Sequence, residues 1–461
     1  MTIWIPKLED SAGPRYLAIA QEIETAIRSK ELRPGQKLPT HRELAYQLNV
    51  SVQTVSRAYA EAERRRLVAG EIGRGTYVQL PRSESASSYI ADSGVADLLD
   101  FSNISALLTD EHDDVLSKSL RDASKESPVS RLFAFRPTAG LDVHREAGSH
   151  WMQNAGVSVS PDNVVVTNSG AHGVWAAMAS AATPGDIVAT ETLVDYTIIT
   201  NASILKLRLR GLPIDHEGIV PEGFQELCAR EPVKLLCTTP CYSNPTASMM
   251  GEQRRQAIAE IARRYDVTIL ESDDYGPFAP NRPKPIWFFA PEITYYSTSA
   301  MVTGLMAGFL AAPSQMLPRL ITRFRATGWM ANSWAAEIVS KWIYDGTAER
   351  LSNIQRKRLK SRHRLFEKTM YGHDYVSHPY APHVWLTLPD QWRSGAFVQE
   401  ARRRGLLVTP PDPFIVGRAT DPHAIRLAFG NTIHDEHEFV RGIELLADLL
   451  HADPDIVSEH F

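Results

Sequence analysis

Apolar positions along this chain repeat with two different periods, and the change of period marks two bodies. In the first eighty residues the spacing is helical. Ile19, Ile23 and Ile27 share one face over residues 14–32, and Pro34-Gly35 ends that run. Leu44, Ala45 and Leu48 form a second stripe, and Val55, Ala58, Tyr59 and Ala62 a third. Thr40 and Glu43 stand at capping-box spacing, so a helix should begin just after Thr40. Asn49 and Val50 make a turn, and Ser51 can cap the next helix. Leu67-Val68 and Thr76-Tyr77-Val78 have the look of short strands around a Gly73-Arg74-Gly75 turn. The pattern predicts a helix, a helix-turn-helix and a two-stranded wing.

Beyond residue 97 the period changes. Short apolar runs at 163–167, 187–190, 233–238, 267–270, 293–299 and 305–311 alternate with helical stretches. Continuous apolar strands separated by helices predict an α/β domain with a mostly parallel sheet buried on both faces. Such sheets hold ligands at their carboxyl ends. Residues 328–365 read as helical. The last ninety residues read as a smaller α+β unit with strands near 383–388 and 425–429. Between the two bodies, PRSESASSYIADSG at 81–94 is serine-rich and poor in apolar residues, so 81–97 reads as a linker. The expected domains are therefore 1–80, a small α+β head, and 98–461, the α/β body.

Composition refines this picture only slightly. A chain of 461 residues exceeds one core, and 43% apolar with 22% charged residues is ordinary for a soluble protein. The net charge of -5 is uneven: residues 1–80 hold 12 Lys+Arg against 9 Asp+Glu, so the remainder stands at -8. A basic head on an acidic body suits a nucleic-acid contact at one end. Three cysteines, Cys228, Cys237 and Cys241, give neither a disulfide framework nor zinc spacing. No run approaches ~18 apolar residues, and no basic-then-apolar signal opens the chain. The expected compartment is the cytoplasm, with no membrane contact.

Two groups of residues carry chemistry. In the head, the third helix offers Ser51, Gln53 and Thr54 in its first turn and Arg57 one turn later. Short polar side chains followed by arginine suit a recognition helix in the major groove. Arg42 is placed to touch phosphate, and Arg74 at the wing tip to reach the minor groove. LPTHRELA, TVSRAY and GRGTYV resemble the signatures of the GntR-family winged helix-turn-helix, which implies operator DNA as partner.

In the body, several strand ends carry polar residues, each ordinary alone. Ser169-Gly170-Ala171 opens a helix whose amides could hold a phosphate. Tyr196 could cover a flat ring. Asn244 and Tyr275 could donate to a phenolate, Asp273 could keep a pyridine nitrogen protonated, and Arg426 could pair with a substrate carboxylate. Asn244-Pro245-Thr246-Ala247 and Asp273-Asp274-Tyr275 resemble motifs of the fold-type I aminotransferases. A GntR-like head on such a body resembles the MocR-type transcriptional regulators. That resemblance implies pyridoxal phosphate, a small amino-compound effector and a head-to-tail homodimer.

The resemblance breaks at Tyr296-Ser297-Thr298-Ser299-Ala300-Met301-Val302-Thr303-Gly304-Leu305-Met306-Ala307-Gly308. The family pattern carries a Schiff-base lysine here, at the position of Ser299 or Ala300, and an arginine where Met306 stands. No lysine occurs between Lys284 and Lys341. The reading is a DNA-binding regulator with a non-catalytic sensor, any pyridoxal phosphate being held without a covalent bond. The alternative is a pyridoxal-phosphate-dependent aminotransferase with a DNA-binding appendage, and a third is a body that senses nothing.

Overall fold

The computed structural model describes residues 4–6, 14–29, 31–32, 36–65, 67–71, 75–78, 98–126, 137–417, 421–430, 433 and 435–452. In the head, Arg15–Arg28 packs on Val52–Arg64 through Ile19, Ile23, Val55 and Ala58, all fully buried. His41–Gln47 starts at Thr40 with both halves of the capping box in place. The Glu43 amide donates to Thr40 Oγ1 at 3.3 Å, and the Thr40 amide donates to Glu43 Oε2 at 2.8 Å. Asn49 takes the left-handed conformation (φ 49°) that lets the chain reverse. Ser51 then caps Val52–Arg64 by accepting the Thr54 amide at 3.1 Å. The wing is an antiparallel pair, Val68–Glu71 with Gly75–Val78, in the register Val68↔Val78. The expected turn at Gly73-Arg74 and the 81–97 linker lie outside the described residues.

The body is built on a seven-stranded sheet. Its order is Val164–Thr167, Gly308–Ala311, Thr294–Ser299, Thr268–Asp273, Val233–Thr238, Ile187–Glu191, Arg208–Leu212. Gly308–Ala311 runs antiparallel to both its neighbours, and the other pairs are parallel. Six of the seven strands follow the apolar runs in the sequence. The seventh, Arg208–Leu212 (RLRGL), is a half-polar edge strand with no apolar run to announce it. Each face of the sheet has its own core. Leu270, Tyr295 and Leu310 pack against Val174 and Ala177 of the helix Gly170–Ala181. Ile269, Leu236 and Ala189 pack against Ile258 and Ala262 of the helix Glu252–Arg264.

The stretch 328–365, expected to be helical, holds the helix Ser333–Tyr344 and most of the helix Thr347–Thr369. Gly346 between them sits at φ 81°, a conformation that cannot continue a helix. The smaller unit carries a three-stranded antiparallel sheet, Tyr375–Val376, His383–Thr387 and Ala424–Ala428. The first strand of the body, Leu99–Asp100, pairs with Leu406–Leu407 of this unit, so the two ends of the body close on each other.

The cap gives a direct test of the head. Thr40→Ala should cost about 0.5–2 kcal/mol of local stability. Hydrogen exchange should show faster amides in 41–47 and unchanged amides in the sheet of the body; unchanged 41–47 amides would remove the cap from the account.

Candidate functional site

The outer face of the second helix of the pair is free of core duties. Val55, Ala58, Tyr59 and Ala62 point inward, which leaves Ser51, Gln53 and Arg57 exposed and Thr54 half-buried. Arg42 is exposed on the preceding helix. Thr54 Oγ1 lies 2.8 Å from Ser51 Oγ, so the cap holds its hydroxyl. The Arg57 guanidinium lies over the Tyr16 ring at 4.2 Å from its centroid. That stacking leaves the planar fork with its hydrogen-bonding edge. The two helices are locked by Tyr59, whose hydroxyl donates to the Pro39 carbonyl at 2.8 Å, and by His41, 3.1 Å from Ser56 Oγ. Arg74 lies outside the described residues.

In the body, the strand carboxyl ends converge with the small unit on one cleft. Arg426, on Ala424–Ala428, is 3% exposed. Its guanidinium donates to the Ser102 carbonyl, to Thr409 Oγ1 at 3.0 Å and to Asn244 Oδ1 at 3.2 Å. Asn244 donates in turn to Asp195 Oδ2 at 2.6 Å. Asp195 Oδ1 caps the helix Tyr196–Ile204 by accepting the Thr197 amide at 2.8 Å. Tyr196 therefore opens a capped helix, half-buried, with its ring centroid 6.3 Å from that of Phe414. Tyr275 lies among Asp195, Arg426, Asp274 and Tyr196, and burial raises its phenol well above the usual range. Its ring meets His383 edge-on at 5.5 Å. His383 is buried and 3.0 Å from the Ser243 carbonyl, and desolvation lowers its pKa to about 3, so it is neutral.

Ser169 caps Gly170–Ala181 by accepting the His172 amide at 3.2 Å, which leaves Gly170 and Ala171 as its first residues. A Cβ added at Gly173 would lie 2.7 Å from Ser297 Oγ, and Ser297 Oγ donates to the Gly170 carbonyl at 3.2 Å. The helix start and the end of Thr294–Ser299 are thus in close contact.

The two aspartates of the acidic cluster go to opposite sides. Successive side chains on a strand alternate faces. Asp273 shares the face of Ile269 and Glu271, and its carboxylate accepts from Arg282 and from the Tyr296 hydroxyl. Asp274 turns to the other face, where a Cβ on Gly170 would collide with its carboxylate. Asp274 Oδ1 is shut off from solvent and has no hydrogen-bond partner. Burial, with help from Asp195 and Asp273, pushes its pKa up to about 7. Arg426, Asn244 and Asp195 thus form one hydrogen-bonded chain that ends at the start of the Tyr196 helix, and the Asp273 carboxylate is engaged behind the strand. Asp195, Asp274 and Arg282 were not singled out by sequence. Only the two-residue alternation of the strand could have separated Asp273 from Asp274.

Ala300 is fully buried at the end of Thr294–Ser299, and its amide donates to the Ala307 carbonyl at 2.9 Å. Ser299 Oγ donates to the same carbonyl at 3.3 Å. Met306 is 63% exposed. Lys284 is 3.4 Å from Glu252 and stacks over Phe288 at 4.5 Å, on the side of the helix Glu252–Arg264.

Residues 99–443 match the model of the aminotransferase class I and II family. The chain belongs to that family. Residues 15–78 match the model of the bacterial regulatory proteins of the gntR family. Together they make the MocR-type architecture, a gntR-type head on an aminotransferase-like body. The chain is 25% identical over 429 residues to the HTH-type transcriptional regulator YdeF of Bacillus subtilis (strain 168), covering 92% of each. It is 24% identical over 467 residues to the HTH-type transcriptional regulator YisV of the same organism, covering 92% of this chain and 94% of the other. Among solved structures, an archaeal alanine:glyoxylate aminotransferase superposes with a TM-score of 0.70 at 22% identity, over 81% of this chain and 94% of that one. Among the described residues no helix is long and apolar enough to cross a membrane.

Asp274 yields a test of the cleft's electrostatics. A carboxyl whose folded pKa is raised above its unfolded value costs stability as pH rises from the ordinary carboxylate range through about 7. Asp274→Asn should therefore raise the melting temperature more at pH 8 than at pH 5. An equal or opposite change at the two pH values would contradict the buried, unpaired state of this carboxyl.

Proposed function

We propose that the protein is a DNA-binding transcriptional regulator whose aminotransferase-like body senses a small amino compound without turning it over. One observation carries the second half of this reading. The end of Thr294–Ser299 and the turn after it offer Ser299 or Ala300 where the family's Schiff-base lysine belongs, and no lysine lies between Lys284 and Lys341. Without a primary amine there is no covalent attachment and no group to shuttle the proton. Lys284, the nearest upstream, is engaged with Glu252. Pyridoxal phosphate supplies an electron sink for bonds to a substrate's α-carbon when it is bound. The residues here do not fit it as an enzyme's cofactor. The amine is missing, Met306 replaces a phosphate-binding arginine, and the Asp273 carboxylate already serves Arg282 and Tyr296. Whatever pyridoxal phosphate binds is held weakly and without a bond to the chain.

The first half rests on the head. The capped helix Val52–Arg64 leaves Gln53, Thr54 and Arg57 outward, the layout of a major-groove reader. Arg42 contacts phosphate in this reading, and Arg74 the minor groove. A homodimer, arranged head to tail, would read two half-sites. Arg426 is the anchor for the effector's carboxylate in this reading, its guanidinium exchanging a bond to Asn244, Thr409 or Ser102 for one to the ligand.

Two outcomes are expected. Arg57→Ala should weaken operator binding by about 1–3 kcal/mol and relax specificity at one position. Footprinting on the promoter beside its own gene, repeated across salt concentrations, measures this; an unchanged affinity removes Arg57 from the readout. Incubation with pyridoxal phosphate followed by borohydride should leave the protein's mass unchanged. A gain equal to a pyridoxyl group on a lysine in the cleft would refute the non-covalent reading.

A further inference from the structure

We propose that Val52 reads a thymine methyl group in the major groove, so that each operator half-site carries a T·A pair against the start of the recognition helix. The proposal deepens the reading of the head as a major-groove reader and rests on it.

The head commits nearly all of its large hydrophobic side chains to one core. Among its described residues only Ile5, Tyr46 and Val52 are exposed, Val52 at 45%. Ile5 precedes the first helix, and Tyr46 carries a hydroxyl that water can satisfy. Val52 is the first residue of Val52–Arg64 and has no place in the apolar cluster to which Val55, Ala58, Tyr59 and Ala62 belong. A lone exposed valine is ordinary on a protein surface. This one stands in the first turn of the helix whose outer face carries Gln53 and Arg57, where a recognition helix meets base edges.

The hydroxyls around that turn are already engaged. Ser51 Oγ accepts the Thr54 amide at 3.1 Å and lies 2.8 Å from Thr54 Oγ1, so both serve the cap. Ser56, one turn after Val52 on the same side of the helix, is 3.1 Å from His41 Nδ1. Arg57, one turn after Gln53, lies over the Tyr16 ring. The leading edge of the helix is therefore Val52 and Gln53, both exposed, one with methyl groups and the other with an amide.

Methyl groups gain from an apolar partner, and the major groove has one. Thymine presents its C5 methyl there, whereas cytosine presents an N4 amino donor. Against thymine, Val52 removes apolar surface of both molecules from water. Against cytosine it covers a donor that it cannot satisfy, at the cost of that donor's hydration. The same side chain therefore gains on a T·A pair and loses on a C·G pair. Gln53, the next residue, suits an adenine edge through N6 and N7, so both leading residues favour A·T pairs.

Duplexes selected by the full chain from a random pool provide the probe. Each thymine of the selected half-site is then replaced by uracil, which removes only the C5 methyl. The wild type should lose about fourfold in affinity at one thymine, the worth of one buried methyl-sized group. Val52→Ala should bind the parent duplex severalfold more weakly and should bind its thymine and uracil forms equally, a comparison within one variant that partial misfolding does not move. Its melting temperature should match the wild type's, because Val52 lies outside the core. A selected half-site with no methyl-sensitive thymine overturns the proposal. So does a methyl effect undiminished in Val52→Ala, which would leave the head's reading of DNA intact and assign the methyl to another side chain. Enrichment of no sequence by the wild type would remove the major-groove reading and this proposal together.

Discussion

The body depends on one buried guanidinium. Moving a charge out of water is costly, and the cost is tolerable only where oxygens replace the lost hydration. Arg426 finds them in three separate pieces of chain: the Ser102 carbonyl near the start of the body, Thr409 in the small unit, and Asn244 in the loop after Val233–Thr238. Asn244 extends the connection to Asp195 and so to the cap of Tyr196–Ile204. The small unit is thus fastened to the large sheet by polar bonds that run through the cleft.

The segment between Lys284 and Lys341, which holds no lysine, still builds a regular strand of the main sheet. Thr294–Ser299 still ends beside Thr268–Asp273, and its register still brings Thr298 opposite Asp273. Ala300 closes the following turn with a backbone bond to Ala307, and its methyl joins the same apolar cluster as Val302 and Ala307. The turn therefore needs no polar side chain there. Among the described residues around the cleft, Asp274 Oδ1, His383 Nδ1 and Arg426 Nε are shut off from solvent without a hydrogen-bond partner.

The sequence by itself determined a good deal. The capping box at Thr40 and Glu43 and the cap at Ser51 place the starts of the helices His41–Gln47 and Val52–Arg64, because helix starts are local matters, while the first helix ends at Arg28, short of the expected 32. Apolar runs located six strands of the main sheet, since a strand buried on both faces has to be apolar throughout. The absence of lysine from the segment between Lys284 and Lys341 was equally plain in the letters. Tertiary structure decided the rest. The edge strand Arg208–Leu212 is half polar and exists because Ile187–Glu191 offers it a partner. The pairing of Leu99–Asp100 with Leu406–Leu407 joins residues some three hundred positions apart, which no local pattern encodes. Above all, Asp273 and Asp274 are identical side chains side by side, and only the pleat of the strand sends one to Arg282 and the other to the first residue of the helix at Gly170. Composition and spacing name the carboxylates available to a site; the geometry of the sheet chooses which face each of them takes.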